Sequence, residues 1–172
     1  MEILKKNIEK LCSFYVSDWH LVTMLLPYIN KQINEKANII TILEKDIEEN
    51  IRTLTKKLNL KNEEKILSLN WSETNGIKYS EIKNKLKDLE KQDILNIIFI
   101  NGKKEYIDIT NKNVEKFLLS IKEKHKKIQI KIINCYEVSE FNINMQEILD
   151  SHDKILNTSG EKEINDVFEG YA

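Results

Sequence analysis

The sequence predicts an α/β fold: a mainly parallel sheet of five to six strands with helices on both faces. Apolar, β-branched runs alternate with amphipathic stretches of helical length along the 172 residues, and right-handed crossovers pack such helices back onto a parallel sheet. Residues 128–152 (IQIKIINCYEVSEFNINMQEILDSH) read as a buried strand, a turn and a helix, as expected late in such a sheet. A third observation sets a limit. The chain has four glycines, Gly76, Gly102, Gly160 and Gly170, and none follows the first strand. A nucleotide-binding α/β domain normally places a glycine-rich loop there, so that backbone amides can approach phosphate oxygens. Here that position reads CSFYVSDWH, residues 12–20, which argues for sensing or binding over hydrolysis.

In chain order, the apolar run 11–16 is the first strand. Ser17 or Asp18 then caps a helix over about 19–34. Its apolar positions Val22, Leu25, Leu26, Ile29 and Ile33 recur at helical spacing, and Pro27 removes one backbone donor and is expected to kink the axis. NIITIL (38–43) is a strand, and Asp46 with Glu49 makes a capping-box-like start for a helix to about Leu58. KILSLNW (65–71) reads as the next strand, with a polar turn at Asn75-Gly76 and a charged amphipathic helix over about 80–90. ILNIIFI (94–100) is a strand followed by a helix over roughly 113–126. Between them, Asn101-Gly102 separates two apolar runs and suggests a hairpin with an antiparallel strand near 104–109. A strand at 128–134, a helix over about 141–151 and a short strand within 154–159 complete the series. The length fits one domain, with residues 1–10 as an N-terminal extension and 158–172 as an acidic tail.

The 27 basic and 28 acidic side chains nearly cancel, so there is no strong nucleic-acid signal and no pull toward an acidic membrane. No apolar stretch reaches the roughly 20 residues of a membrane helix, and MEILKKNIEK is too charged for a signal peptide. The expectation is a cytoplasmic chain with no membrane partner. Cys12 and Cys135 sit in apolar strand-like runs, where cysteine usually serves as a small hydrophobe; on adjacent strands they could also form a redox pair. His20, His125 and His152 are far apart and lack metal-ligand spacing, and no GxxxxGK[ST] string is present, so no metal or cofactor is assigned. His125, in KEKHKK, reads as a solvated cation at a helix end.

Ligands of open α/β sheets bind outside the carboxyl ends of the strands. That draws attention to Phe14, Tyr15, Glu44, Trp71, Glu73, Asn101, Cys135, Tyr136 and Glu137. Trp19, His20, Trp71 and Tyr136 could line an aromatic pocket or cap the core, with Glu73 and Glu137 as polar contacts or solvated turn residues. His152 ends a helix, where it favours the negative end of the helix dipole. The candidate ligand-binding residues are therefore Tyr15, Trp19, His20, Trp71, Glu73, Cys135, Tyr136 and His152, and none is assigned a catalytic role.

Three strings in this order resemble the MEDS family, the methanogen/methylotroph sensory domains related to RecA-like and KaiC-like ATPases. The first is CSFYVSDWHLVTMLLPYINKQINEKANIITI (12–42), with its Cys-x-Phe-Tyr strand, polar cap and Leu-x-Pro-Tyr helix. The second is CYEVSEFNINMQEILDSHDKIL (135–156), and the third is the helix from Asp46 with the run ending at Trp71. The sequence departs from the family pattern at Lys10, where a histidine is common, and in the tail NTSGEKEINDVFEGYA. The resemblance implies a RecA-like scaffold without its Walker A loop, and Asn101 stands where such an ATPase usually offers a carboxylate. It also implies a sensory domain, of a kind often attached to DNA-binding or kinase modules, that recognises a small organic ligand. With no room for such a module, this chain would signal through a separate protein partner or by self-association. The alternatives are an ATPase-fold protein-interaction scaffold and a thiol- or histidine-dependent enzyme.

Overall fold

Strands β1 (Ile8–Tyr15), β2 (Asn38–Leu43), β3 (Leu95–Gly102), β4 (Gln129–Glu137), β5 (Lys154–Asn157) and β6 (Gly160–Lys162) join in one sheet. Their order is β2-β3-β4-β1-β5-β6. Every neighbouring pair is parallel except β5 with β6. The helices are α1 (Asp18–Asn34), α2 (Glu48–Leu58), α3 (Glu63–Ser68), α4 (Tyr79–Leu86), α5 (Lys104–Ile121), α6 (Met145–Asp150) and α7 (Ile164–Val167). This computed structural model describes residues 8–87, 89, 94–121, 128–138 and 144–168. The α/β class and the mainly parallel sheet are those the sequence predicts.

Successive strand side chains point to opposite faces, and here both faces are covered, which is why the strands read as near-continuous apolar runs. Cys12, Ile42, Ile98, Ile100, Ile132 and Tyr136 pack beneath α4, α5, α6 and α7. Leu11, Tyr15, Leu43, Phe99, Ile133 and Cys135 pack beneath α1, α2 and α3. These are the α5 face and the α1 face.

Local chemistry sets the helix starts. Ser17 is extended (φ −152°, ψ 162°) and its hydroxyl accepts a hydrogen bond from the His20 amide, which stops β1 and begins α1. Pro27 and Thr23 both lie on the solvent side of α1, so the Thr23 carbonyl that lacks an amide partner faces water. Asp46 accepts from the Glu48 amide at 2.8 Å, so it serves the start of α2 through a local turn and not as a capping box. Asn59 in the left-handed region (φ 48°) follows the end of that helix.

Four expectations are corrected. Residues 65–71 form no strand: 65–68 belong to α3. A short apolar run fits either period, and Glu63 and Glu64 in the first turn favour a helix start. Asn62 pins that start to α1, donating to the Asn30 carbonyl at 3.0 Å and to the Asn34 side chain at 3.0 Å. The chain then runs beside β2 through Ile47 N–H to Trp71 C=O and Thr74 N–H to Leu43 C=O. The proposed hairpin near 104–109 is instead the first third of α5. Tyr106, Ile107, Thr110, Asn111, Val114, Phe117 and Leu118 are all buried, at the spacing of one helix face. The antiparallel pair lies elsewhere, between β5 and β6. Residues 158–168 are therefore not a tail: β6 pairs with β5, and Ile164 is buried in the α5-face core. Residues 8–10 likewise belong to β1. The stretches 122–127 and 141–143, where two helices were expected to extend and where His125 falls, lie outside the described residues, as do residues 88 and 90 beyond α4.

Candidate functional site

β1 continues through α1 on one face, whereas the neighbouring β4 continues through α6 on the other. Their carboxyl ends thus form the switch point at which open α/β sheets hold ligands. Tyr15 of β1 stands in register with Glu137 of β4, and Asn101 of β3 with Cys135 of β4. Alternation puts Tyr15, Glu137, Asn101 and Cys135 on the α1 face.

This corner carries unmet hydrogen-bonding capacity. Tyr15 Oη, Asn101 Nδ2 and Glu137 Oε2 are buried and have no hydrogen-bond partner among the described residues. The other atoms of the same side chains are engaged. Asn101 Oδ1 accepts from the Glu44 amide at 2.9 Å, and Glu137 Oε1 meets the Lys45 ammonium at 2.7 Å. Burial pushes the Tyr15 phenol far up, and the nearby Cys135 and Glu137 add to the shift. The hydrogen bond to Glu137 raises Lys45, against a smaller desolvation effect. The phenol is therefore a neutral donor or acceptor, and the lysine remains a cation. One hydroxyl, one amide donor and one carboxylate oxygen, arranged on three adjacent strands, complement a small organic group that both accepts and donates hydrogen bonds.

The β1–α1 turn above this corner is closed by its own side chains. The Val16 amide donates to His20 Nδ1 at 3.1 Å, and Ser17 Oγ takes the His20 amide. Two amides at the usual phosphate position are thus already committed. Trp19 is 50% exposed and Val16 71% exposed at the rim.

On the α5 face, Phe14 stacks on Tyr136 with centroids 5.9 Å apart, and Phe168 and His152 meet this pair edge-on. Beneath lies a closed polar chain. Asn111 donates to the Ile107 carbonyl (2.8 Å) and to Asn134 Oδ1 (2.9 Å). Asn134 Nδ2 donates back to Asn111 Oδ1 (3.2 Å) and also lies 2.9 Å from His152 Nε2. His152 Nδ1 lies 2.6 Å from the Ile148 carbonyl, which fixes the tautomer with Nδ1 as donor and Nε2 as acceptor. Burial lowers His152 to about 4, so it is neutral near pH 7.

The sequence-derived candidates therefore divide. Tyr15, Cys135 and Trp71 are in the α1-face core, and Tyr136 and His152 are in the α5-face core. Trp71 is not a pocket wall: its indole donates to the Ile66 carbonyl at 2.8 Å in a buried setting. Glu73 is exposed, and Trp19 and His20 sit at the rim. Cys12 and Cys135 are on adjacent strands but opposite faces, because Cys12 pairs with Asn134 and Cys135 with Ser13. No redox pair forms, and burial raises both thiols, Cys12 to about 12. Asn101 and Glu137 stand among the strand-end residues that the sequence singles out, but Lys45 does not. Its signal is a lysine two residues past an apolar strand, a pattern common on any surface. Among the described residues, no three His, Cys, Asp or Glu side chains group as metal ligands, and no helix is long and apolar enough to cross a membrane. Compared with known protein families and with curated proteins, the chain matches none.

Proposed function

We propose that this chain is a non-enzymatic sensory or regulatory domain of the MEDS kind, taking a small organic ligand at the carboxyl ends of β1, β3 and β4 and signalling through a separate protein. The observation that carries the reading is the trio of unpaired buried atoms on Tyr15, Asn101 and Glu137. Each such atom costs roughly 1–3 kcal/mol until something bonds it, so a ligand that satisfies them gains from groups already in place. The ligand would shift the population between two arrangements of the Ser17–His20 start of α1, which borders the site.

The test is a thermal-shift screen of the purified chain against small hydroxyl- and amide-bearing organic molecules and against ATP, with and without magnesium. A saturable, magnesium-independent shift from an organic molecule, lost in Tyr15→Phe, is the expected result. The ligand-free Y15F protein should be as stable as the parent or up to about 1 kcal/mol more stable, because the variant removes an unpaired buried hydroxyl. A magnesium-dependent ATP shift would replace this reading with nucleotide binding.

A second reading, a protein-interaction scaffold, is favoured by the Phe14–Tyr136–Phe168–His152 cluster, which fills the α5 half of the strand ends with the chain's own rings. A thiol–imidazole enzyme draws no such support. Cys135 and His152 lie on opposite faces of the sheet, and both are buried.

A further inference from the structure

Away from the strand-end corner, a cleft of about 520 Å³ lies between the second half of α1 and the β5–β6 turn. That volume is within the range of small-molecule sites, roughly 300–1,000 Å³. Its walls are Tyr28 and Gln32 of α1 on one side and the segment Asn157–Glu161 on the other, with Leu95 and Lys131 beneath.

Two features mark the cleft as built for a ligand. Gln32 is 6% exposed, yet its side-chain amide has no hydrogen-bond partner among the described residues. It lines the cleft, where solvent reaches its two donors and its acceptor and a ligand can take the solvent's place. The floor, by contrast, is rigidly paired. Glu161 accepts from the Tyr28 hydroxyl at 2.5 Å and from the Lys131 ammonium at 2.6 Å. Burial would push the Glu161 carboxyl up, but those two bonds hold it below its ordinary value, so it stays ionised.

The charges decide the ligand class. Lys31, in the last turn of α1, and Glu35, which caps its C-terminus, are both exposed at the cleft and form no ion pair among the described residues. Together with Lys131 and Glu161 they bring the lining to zero net charge, which offers nothing to a polyanion such as a nucleotide. A sugar would leave both mouth charges unused. We propose that this cleft binds a small zwitterion of the free amino-acid class, with its carboxylate toward Lys31, its ammonium toward Glu35 and a polar side chain toward Gln32. The site is independent of the strand-end ligand.

The test is titration calorimetry of the full chain against each of the 20 common amino acids, glucose and inorganic phosphate. Parallel titrations use Gln32→Met, Lys31→Ala and Tyr15→Phe. Expected is saturable binding of at least one amino acid with a polar side chain, weakened tenfold or more in Q32M and in K31A and unchanged in Y15F. Lys31 is on the surface, so K31A keeps the test valid should Q32M fail to fold. The proposal is overturned if no amino acid binds, if glucose or phosphate binds instead, or if K31A leaves the affinity unaltered. Failure here with a surviving Y15F-sensitive thermal shift would leave the strand-end reading intact.

Discussion

Asn134 shows how one polar side chain constrains three elements. It sits in β4 between Ile133 and Cys135, in register with Cys12 and Ile100, so its neighbours within the sheet are apolar, and it is 1% exposed. Its amide is affordable there because α5 offers Asn111 and the residue just beyond α6 is His152. The chain of bonds closes only if His152 is neutral, which burial favours by lowering its pKa to about 4 from an ordinary 6.5. Between those values the unfolded chain binds a proton that the folded chain does not, so stability rises with pH across that interval. The contribution is therefore whole above about pH 6.5 and declines as the pH falls to about 4, by up to roughly 3 kcal/mol. Urea unfolding at pH 7.5, 5.5 and 4.5 should show this loss, and His152→Leu should flatten it; an unchanged pH slope in the variant would refute the assignment. The sequence marks His152 as a residue ending a helix and as a candidate ligand contact, not as a partner of Asn134. Beside the local Ile148 carbonyl, its partner lies 18 residues away in β4 and, beyond that, in α5, a distance no local pattern spans. Tyr15 and Cys135 are legible as strand-end residues, but which face each takes depends on register, and register is a property of the assembled sheet.

At the scale of elements, strands 38–43 and 95–102 and the capped helix from Asp18 follow directly from β-branched runs and a serine cap. The failures share a cause: turn and run signals report that the chain changes direction without saying what it meets. Asn101-Gly102 is such a case. Gly102 adopts φ +143°, a backbone conformation that residues with a side chain rarely take, and it turns β3 into α5 where a hairpin was expected. Glu44 fixes the turn, since its carboxylate accepts the Lys103 amide at 2.8 Å. A Cβ at position 102 would fall 2.5 Å from Glu44 Oε1 and 2.7 Å from Glu44 Cβ. Gly102→Ala is accordingly expected to cost about 1–3 kcal/mol, combining backbone strain with displacement of that carboxylate. A chemical-denaturation midpoint within error of the parent would mean the junction relaxes freely. Residues 65–71 fail for the complementary reason. The edge of β2 is already occupied by the 70–74 segment, which hydrogen-bonds to β2 at Leu43 without joining its ladder, so a further strand has no place to pair.

Across the whole molecule the sheet is unequally fastened. β3, β4 and β1 pair along eight-residue registers, with helices on both faces. β5 meets β1 at Leu11–Lys154 and Cys12–Ile155, and three residues of β6 complete that end. Ile155, Leu156 and Ile164 anchor it in the two cores, and polar bonds add to them: Asp153 exchanges backbone and side-chain hydrogen bonds with the Lys10 backbone, Ser13 Oγ donates to the Leu156 carbonyl at 2.8 Å, and Glu161 ties β6 to Tyr28 and Lys131. A sheet end held by such short ladders is expected to open locally at a free energy below that of global unfolding. Native-state hydrogen exchange should therefore be slowest for amides in the middle of β1, β3 and β4 and faster in β5 and β6. Lys131→Met removes one of the two bonds to Glu161 and leaves a partly buried carboxylate less compensated. In that variant exchange should accelerate at residues 154–157 and 160–162 while the centre of β3 and β4 keeps its protection. A uniform acceleration across the sheet would instead mean that the β5–β6 end opens only when the entire domain does, and that Glu161 stabilises the global fold and not a separable flap beside α1.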